Sequence, residues 1–173
     1  MSSVNDPAAD TSDAMLDALA GRLGKALLAR ELKLATAESC TGGWIAKCLT
    51  DIAGSSDWFE RGYVTYSNGA KTAMLGVSAE TLASHGAVSE QTVREMAAGA
   101  VRQSPAQMAV AVSGIAGPSG GGPGKPVGSV WIAWAWPDRS VSARQFRFSG
   151  DRENVRRSTV AEALRGLLDG IER

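Results

Sequence analysis

The chain has no excess of charge of either sign, and this limits its possible partners. Its 173 residues include 18 Lys and Arg and 18 Asp and Glu, so the formal net charge is zero. Such a chain has no long-range field that gathers nucleic acid or an anionic membrane. The composition therefore favours a small-molecule ligand over nucleic-acid or membrane partners, although a local basic patch could still bind phosphate.

Long apolar runs are also absent. No segment approaches the roughly 20 apolar residues that a membrane-spanning helix needs. Residues 1–10 lack the basic and apolar regions of a signal peptide. We therefore expect a cytoplasmic protein, and we expect residues 1–10, which are small and polar, to form a disordered tail.

Cysteine and histidine are scarce. Cys40 and Cys48 are the two cysteines, and His85 is the single histidine. These residues provide neither a disulfide framework nor ligands at the usual zinc spacing. We expect no metal and no other cofactor.

The rest of the composition is that of an ordinary globular domain, with 44% hydrophobic and 21% charged residues. Apolar spacing predicts the order helix, strand, helix, strand, helix, helix, strand, strand, strand, helix. Early alternation followed by a hairpin predicts an α/β fold, a single three-layer α/β/α domain with a mixed central sheet over residues 11–173. The predicted strands are residues 32–37, 62–67, 108–112, 129–136 and 141–148.

The junction after the first predicted strand is the first candidate site. Side chains at the carboxyl end of such a strand face the crevice where open α/β sheets bind ligands. Ser39 is a candidate nucleophile there, and the next helix N-terminus could stabilise an oxyanion. The alternatives are that Ser39 or Thr41 only caps the helix, or that Cys40 is the nucleophile.

A serine nucleophile needs a base. His85 lies among turn formers, which is typical of an exposed histidine. Lys71 follows the second predicted strand and could reach the same crevice if burial or a nearby cation lowers its pKa. A solvated surface lysine is the alternative. Tyr66 could relay a proton or simply pack in the core.

Two further segments could bind phosphate. The glycine-rich residues 114–128 could form a cradle of backbone N–H groups, but they match neither a Walker A loop nor GxGxxG, so a mobile hairpin loop is an equal alternative. Arg152, Arg156 and Arg157 begin the last predicted helix, where the dipole disfavours cations. A phosphate clamp or ion pairs with neighbouring carboxylates would each explain these arginines.

Five segments in one order carry a family resemblance. They are Ala-Glu-Ser-Cys-Thr-Gly-Gly at residues 37–43, Gly-Tyr-Val-Thr-Tyr-Ser-Asn at 62–68 with Lys71 and Leu-Gly-Val at 75–77, Gly-Ala-Val-Ser at 86–89, the glycine-rich residues 113–128, and Phe-Ser-Gly-Asp-Arg at 148–152. With these motifs the sequence resembles the CinA C-terminal-domain family over about residues 16–171. The resemblance implies hydrolysis of the carboxamide of nicotinamide mononucleotide to nicotinic acid mononucleotide and ammonia.

The resemblance also implies which residues act. Ser39 would be the nucleophile, Lys71 the general base and Tyr66 an assisting hydroxyl. The oxyanion hole would be formed by backbone N–H groups of Thr41, Gly42 and Gly43. The substrate-binding residues would be Ser113, Gly114, Gly117, Gly121 and, at the phosphate, Arg152.

Two other functions stay open. A non-catalytic nucleotide-binding module would bind the same ligand without releasing ammonia. A partner protein in DNA uptake or damage response, suggested by the family's name, would need a nucleic-acid surface that zero net charge does not supply. We also expect a homodimer or higher homo-oligomer, for which the faces of Trp131, Trp134 and Trp136 are candidates, although core packing is the commoner fate of such residues.

Overall fold

The computed structural model describes residues 9–173, so most of the expected tail at residues 1–10 lies outside the described residues. The α-helices in this part of the chain are α1 (Asp13–Ala29), α2 (Trp44–Thr50), α3 (Asn68–Leu75), α4 (Ala79–His85), α5 (Glu90–Arg102) and α6 (Arg152–Ile171), with a 3₁₀ helix at Ser55–Asp57. The strands are β1 (Leu34–Glu38), β2 (Phe59–Val64), β3 (Met108–Gly114), β4 (Ser129–Ala135) and β5 (Val141–Arg147).

The strands form one mixed sheet in the order β2-β1-β3-β4-β5. β2, β1 and β3 are parallel, whereas β4 and β5 are each antiparallel to the preceding strand. Helices α1, α2 and α6 cover one face, and α5 covers the other together with α3 and α4. The predicted three-layer α/β/α domain with a mixed sheet is confirmed.

The two sheet faces carry side chains of different size. The face toward α1, α2 and α6 is built from larger residues, including Leu34, Val110 and Val112. The face toward α5 is nearly all alanine: Ala35, Ala37, Ala109, Ala111, Ala133 and Ala135. Small side chains let α5 lie close to the sheet, and Gly99 on α5 lies close to α3, because a Cβ there would be 2.0 Å from the Leu75 carbonyl oxygen.

Strand β2 differs most from its prediction. Residues 62–67 were expected because Tyr63 to Tyr66 are strong strand formers, but the strand is Phe59–Val64. Its bounds follow from parallel pairing with β1, which joins Leu34 to Phe59 and Glu38 to Val64. The carbonyl groups of Thr65 and Tyr66 therefore lie beyond the paired residues of β2.

Helix α4 was not predicted, because its seven residues carry no apolar stripe. Its ends are defined by caps: the Ser78 side chain accepts a hydrogen bond from the Thr81 N–H, and Gly86 follows the last residue with a φ of 77°. The longer helices also begin at capping residues. Ser12, Ser89 and Asp151 each accept a hydrogen bond from the first turn of α1, α5 and α6.

The tryptophans expected at an oligomer interface pack within the domain. Trp134 is buried, and its indole N–H donates to the Ala163 carbonyl at 3.0 Å. Trp134 and Trp136 lie against Gly166 and Gly170, which have no side chain to occupy that space. Trp134 therefore belongs to the core, whereas Trp131 and Trp136 are half-buried against it. Oligomerisation stays a prediction.

Within residues 9–173, no helix combines the length and the apolar character that crossing a bilayer would require.

Candidate active site

A cavity of about 200 Å³ lies at the carboxyl ends of β1 and β3. Its wall combines predicted site residues with small apolar ones from the loops before α5 and after β3. The lining residues are Ser39, Cys40, Tyr66, Lys71, Ala87, Val88, Ser113, Gly114, Ala116 and Arg152. The sheet edge thus brings together residues that are far apart in the sequence, as expected for an open α/β sheet.

Ser39 and Lys71 meet inside this cavity. The Ser39 N–H donates to the Val112 carbonyl at 3.1 Å, which extends the pairing of β1 with β3 by one residue. Beyond this point the chain turns toward α2. The Ser39 Oγ lies 3.0 Å from the Lys71 Nζ, within hydrogen-bond distance.

Lys71 is buried, with 1% of its surface exposed. It lies in the first turn of α3, which Ser67 caps by accepting from the Ala70 N–H. Its Nζ donates to the carbonyl oxygens of Thr65 at 2.9 Å and Tyr66 at 3.2 Å, the two groups left beyond β2. Burial lowers the pKa of Lys71 below its ordinary value. A lysine with a lowered pKa can accept a proton from a neighbouring hydroxyl.

The contacts of Lys71 match the bonding capacity of a neutral amine. Two N–H groups can donate to the two carbonyl oxygens, and the lone pair can accept the hydrogen of the Ser39 hydroxyl. An ammonium group would instead donate to all three oxygens. The same geometry therefore serves both protonation states, as a base that takes up and returns a proton requires.

Glu38 is a buried carboxylate for which the sequence predicted no role. Its two oxygens accept from the Ile45 N–H at 2.9 Å, the Ala46 N–H at 3.0 Å and the Thr41 hydroxyl at 2.6 Å. Glu38 thus occupies the first-turn donors of α2 and complements the positive end of that helix. The sequence did contain a signal for this role, because Glu38 is an acidic residue that stands just before a turn and a short helix.

The three residues expected at the oxyanion hole lie in the turn between β1 and α2, outside the cavity lining. The Gly42 N–H donates to the Ser39 carbonyl at 3.1 Å, so it is engaged in the turn. Gly43 precedes α2 with a φ of 102°. Thr41 is buried, and its N–H has no hydrogen-bond acceptor among residues 9–173. This geometry does not support the expected role of Gly42.

Cys40, the alternative nucleophile, contributes to the cavity wall but is buried. Burial raises the pKa of its thiol to about 12. Because the thiolate is the reactive form, a thiol with this pKa is a poor nucleophile near neutral pH. The geometry therefore favours Ser39 over Cys40.

Ser113 and Gly114 end β3 and line the cavity. Ser113 is almost fully buried, yet its hydroxyl has no hydrogen-bond partner in the described part of the chain. It is therefore available to a bound ligand. Gly114 packs against β4, since a Cβ there would lie 2.6 Å from the Val130 side chain.

Gly117 and Gly121, expected to bind substrate, lie outside the cavity lining. Both pack against Val127 in their own loop, where a Cβ at Gly117 would lie 2.5 Å from its side chain and one at Gly121 would lie 2.8 Å from its backbone nitrogen. Lys125 ties this loop to α4 by donating to the His85 carbonyl at 2.9 Å. The need for glycine at both positions is thus explained by loop packing.

The three arginines in the first turns of α6 have three different environments. Arg152 lines the cavity, donating to the Gly117 carbonyl at 2.8 Å and to the Tyr66 hydroxyl at 3.4 Å. Arg157 pairs with Asp13 and Glu153, at 2.5 and 3.1 Å. Arg156 binds the turn after Ser39. Only Arg152 is placed to meet a ligand in the cavity.

His85 ends α4, is exposed and does not line the cavity. The expected exposed histidine is therefore confirmed. Among residues 9–173, no three His, Cys, Asp or Glu side chains come together as a metal-binding group.

The fold and the cavity define a three-layer α/β domain with a buried serine–lysine pair at the carboxyl edge of its sheet. The chain belongs to the CinA C-terminal domain family, whose sequence profile matches residues 16–171. It is 57% identical to the nicotinamide-nucleotide amidohydrolase PncC of Escherichia coli K12 over 156 residues, which cover 90% of this chain and 94% of that protein.

A second curated relative and a solved structure agree with this membership. The chain is 55% identical to the nicotinamide-nucleotide amidohydrolase PncC of Pseudomonas putida over 150 residues, covering 87% of this chain and 93% of the relative. Its fold is similar to the crystal structure of the competence/damage inducible protein CihA from Agrobacterium tumefaciens. That comparison has a TM-score of 0.88 at 46% identity and covers 92% of this chain and 96% of the other.

Proposed function

We propose that this chain is an amidohydrolase that converts nicotinamide mononucleotide to nicotinic acid mononucleotide and ammonia, a step of pyridine nucleotide salvage. The observation that carries the proposal is the 3.0 Å contact between the Ser39 Oγ and the buried Lys71 Nζ. The names of relatives at 57% and 55% identity supply the substrate class. Ser39 is the nucleophile, and Lys71 is the general base.

The reaction begins when neutral Lys71 takes the Ser39 proton and the Ser39 Oγ attacks the carboxamide carbon. The resulting tetrahedral oxyanion collapses, the C–N bond breaks, and ammonia leaves with the proton from Lys71. Water then attacks the nicotinoyl ester and gives a proton to Lys71, which returns it to the Ser39 Oγ as the ester bond breaks. Lys71 carries the proton in both steps because no hydrogen bond joins the Tyr66 hydroxyl to Ser39 or Lys71 in the described structure.

The size of the cavity suits the reacting end of this substrate. Ligand sites usually enclose about 300 to 1,000 Å³, whereas this cavity has about 200 Å³. It would therefore enclose the pyridine carboxamide and leave the ribose phosphate at the mouth. Ala87, Val88 and Ala116 offer apolar walls for the ring, and the Ser113 hydroxyl offers a hydrogen bond.

Arg152 would bind the phosphate at the mouth. It is exposed and lies beside the Tyr66 hydroxyl, so a phosphate could accept from both groups. A guanidinium suits this role because it stays charged and presents several donors in a fixed plane. We therefore assign Tyr66 an assisting hydroxyl at the substrate rather than a second base.

Ammonia release from nicotinamide mononucleotide tests the proposal. Purified wild-type protein and Ser39→Ala are incubated with the nucleotide, with Ser56→Ala as the matched control because Ser56 is exposed and does not line the cavity. Wild type and Ser56→Ala should release ammonia, and Ser39→Ala should not. Nucleotide binding by wild type without ammonia release would favour a non-catalytic binding module, and equal release by Ser39→Ala would refute the nucleophile.

A further inference from the structure

Arg156 binds two consecutive carbonyl groups of the turn that follows Ser39. Its Nε donates to the Cys40 carbonyl and its Nη2 to the Thr41 carbonyl, each at 3.1 Å. The guanidinium also lies over the Trp44 ring, 5.3 Å from the centroid. A planar group held by three contacts fixes two peptide planes at once, which a single ammonium could not do.

These contacts determine where the turn's N–H groups point. A trans peptide is planar, so its C=O and N–H point in opposite directions. Holding the Cys40 carbonyl toward α6 therefore directs the Thr41 N–H away from α6. In turns that begin with serine, the N–H two residues later lies on the side that the serine hydroxyl can reach. Thr41 is the second residue after Ser39, and the bond from the Gly42 N–H to the Ser39 carbonyl shows that the chain turns here, so the Thr41 N–H has the position in the turn that this description requires.

Several other donors near Ser39 are already engaged. Glu38 accepts from the first-turn N–H groups of α2, at Ile45 and Ala46. The Gly42 N–H donates to the Ser39 carbonyl, while the Thr41 N–H has no acceptor among residues 9–173. An oxyanion on Ser39 therefore depends on the turn itself rather than on the helix N-terminus.

We infer that Arg156 is a positioning residue, which holds the Cys40–Thr41 peptide so that the Thr41 N–H donates to the oxyanion formed at Ser39. The cation on the carbonyl also polarises this peptide and strengthens the hydrogen bond that its N–H donates. The inference rests on the proposed hydrolytic function of Ser39. Arg156 thus has a different role from Arg152, which is proposed to bind the substrate phosphate at the cavity mouth.

The chain offers a matched control on the same helix. Arg157 follows Arg156, carries the same charge and also lies over the Trp44 ring, 4.9 Å from its centroid. Its hydrogen bonds go to Asp13, Glu153 and the Thr11 carbonyl, and none goes to the turn after Ser39. Arg156→Met and Arg157→Met therefore remove the same charge and the same stacking partner, but only the first releases the turn.

The test measures kcat and KM for nicotinamide mononucleotide and the rate at which a fluorophosphonate labels Ser39. We expect Arg156→Met to lower kcat about 100-fold, as expected for a small misplacement of reacting groups, with KM unchanged. Labelling should slow in parallel, because the phosphonyl oxygen needs the same donor. Arg157→Met should match wild type in all three quantities.

Several outcomes would overturn the inference: a wild-type kcat in Arg156→Met, a loss confined to KM, or an equal loss in Arg157→Met. If Arg156→Met does not fold, Arg156→Lys replaces it in the test. The lysine can bind only one of the two carbonyl groups, so kcat should still fall severalfold. An unchanged kcat in Arg156→Lys would also overturn the inference. The labelling rate separates this inference from the substrate proposal. If wild type releases no ammonia, slower labelling of Arg156→Met still supports the positioning role, and equal labelling refutes it.

Discussion

At the scale of single residues, the sequence located the candidate nucleophile and the candidate base but not the burial and hydrogen bonds of the base. Ser39 and Lys71 each follow a predicted strand, which is a local signal, so their approach to one crevice could be expected. The burial of Lys71 and its bonds to the Thr65 and Tyr66 carbonyls depend on where β2 ends, which its own residues do not reveal. The role of Arg156 was inaccessible for a related reason, because its partner Cys40 is 116 residues away.

The lowered pKa of Lys71 predicts how activity depends on pH. In the proposed reaction neutral Lys71 is the base, so kcat/KM should rise with pH through the pKa of Lys71 in the folded protein and level off above it. Because burial lowers this pKa, the rise should occur below the ordinary value of 10.5. The profile of kcat/KM from pH 5 to 10 checks this. Activity that falls as the pH rises across that range would contradict the assignment of Lys71 as base.

The same lowered pKa of Lys71 also predicts how the stability of the fold depends on pH. In the window between the lowered pKa and 10.5, the unfolded chain binds more protons at Lys71 than the folded one does. The free energy of unfolding contributed by Lys71 therefore increases with pH there, and burial of the charged amine is most unfavourable below the window. Measured relative to Lys71→Met, wild type should gain stability as pH rises, while the effects of Cys40 and Cys48 cancel between the two proteins.

At the scale of helices and strands, regular elements with an apolar pattern were predictable and short polar ones were not. α1, α5 and α6 have apolar stripes and capping residues, and both signals are visible in the sequence. Helix α4 has caps but no stripe, and it was missed. Strand β2 is an edge strand whose ends follow from its pairing with β1 rather than from its own residues.

Two glycines in α1 should respond oppositely to alanine. A Cβ at Gly21 meets nothing within 4 Å, so Gly21→Ala should stabilise the protein by about 1 kcal/mol through helix propensity. A Cβ at Gly24 would lie 2.6 Å from the buried Trp58 ring, so Gly24→Ala should destabilise it by about 1 to 3 kcal/mol through overpacking. Urea denaturation of both variants measures these changes, and a shift of the same sign in both would contradict the packing of α1 on Trp58.

At the scale of the whole molecule, the alternation of strands and helices predicted the layered domain correctly. It also predicted the edge of the sheet where the cavity lies, because the carboxyl ends of parallel strands meet there. The glycine-rich loop was harder to interpret. Gly117 and Gly121 satisfy packing against Val127, and the Ser113 and Arg152 side chains line the cavity instead.

A ligand that binds the folded cavity should stabilise the entire domain. Ser39→Ala should bind nicotinamide mononucleotide without consuming it, and ligand at 100 times its Kd should raise the free energy of unfolding by about 2.7 kcal/mol. Adding Arg152→Met should weaken binding and reduce the gain at the same ligand concentration. Thermal unfolding with and without nucleotide measures both effects. An equal gain after Arg152→Met would refute its phosphate contact.

In the proposed reaction Ser39 and Lys71 act as one catalytic unit, and a double-mutant cycle on ammonia release measures this coupling. Wild type, Ser39→Ala, Lys71→Met and the double variant are compared for kcat with nicotinamide mononucleotide, with exposed Lys47→Met as the lysine control. We predict a severe loss of kcat in each single variant, a double variant no worse than the more impaired single variant, and a wild-type kcat in Lys47→Met. Wild-type kcat in Lys71→Met, or losses that multiply in the double variant, would contradict it.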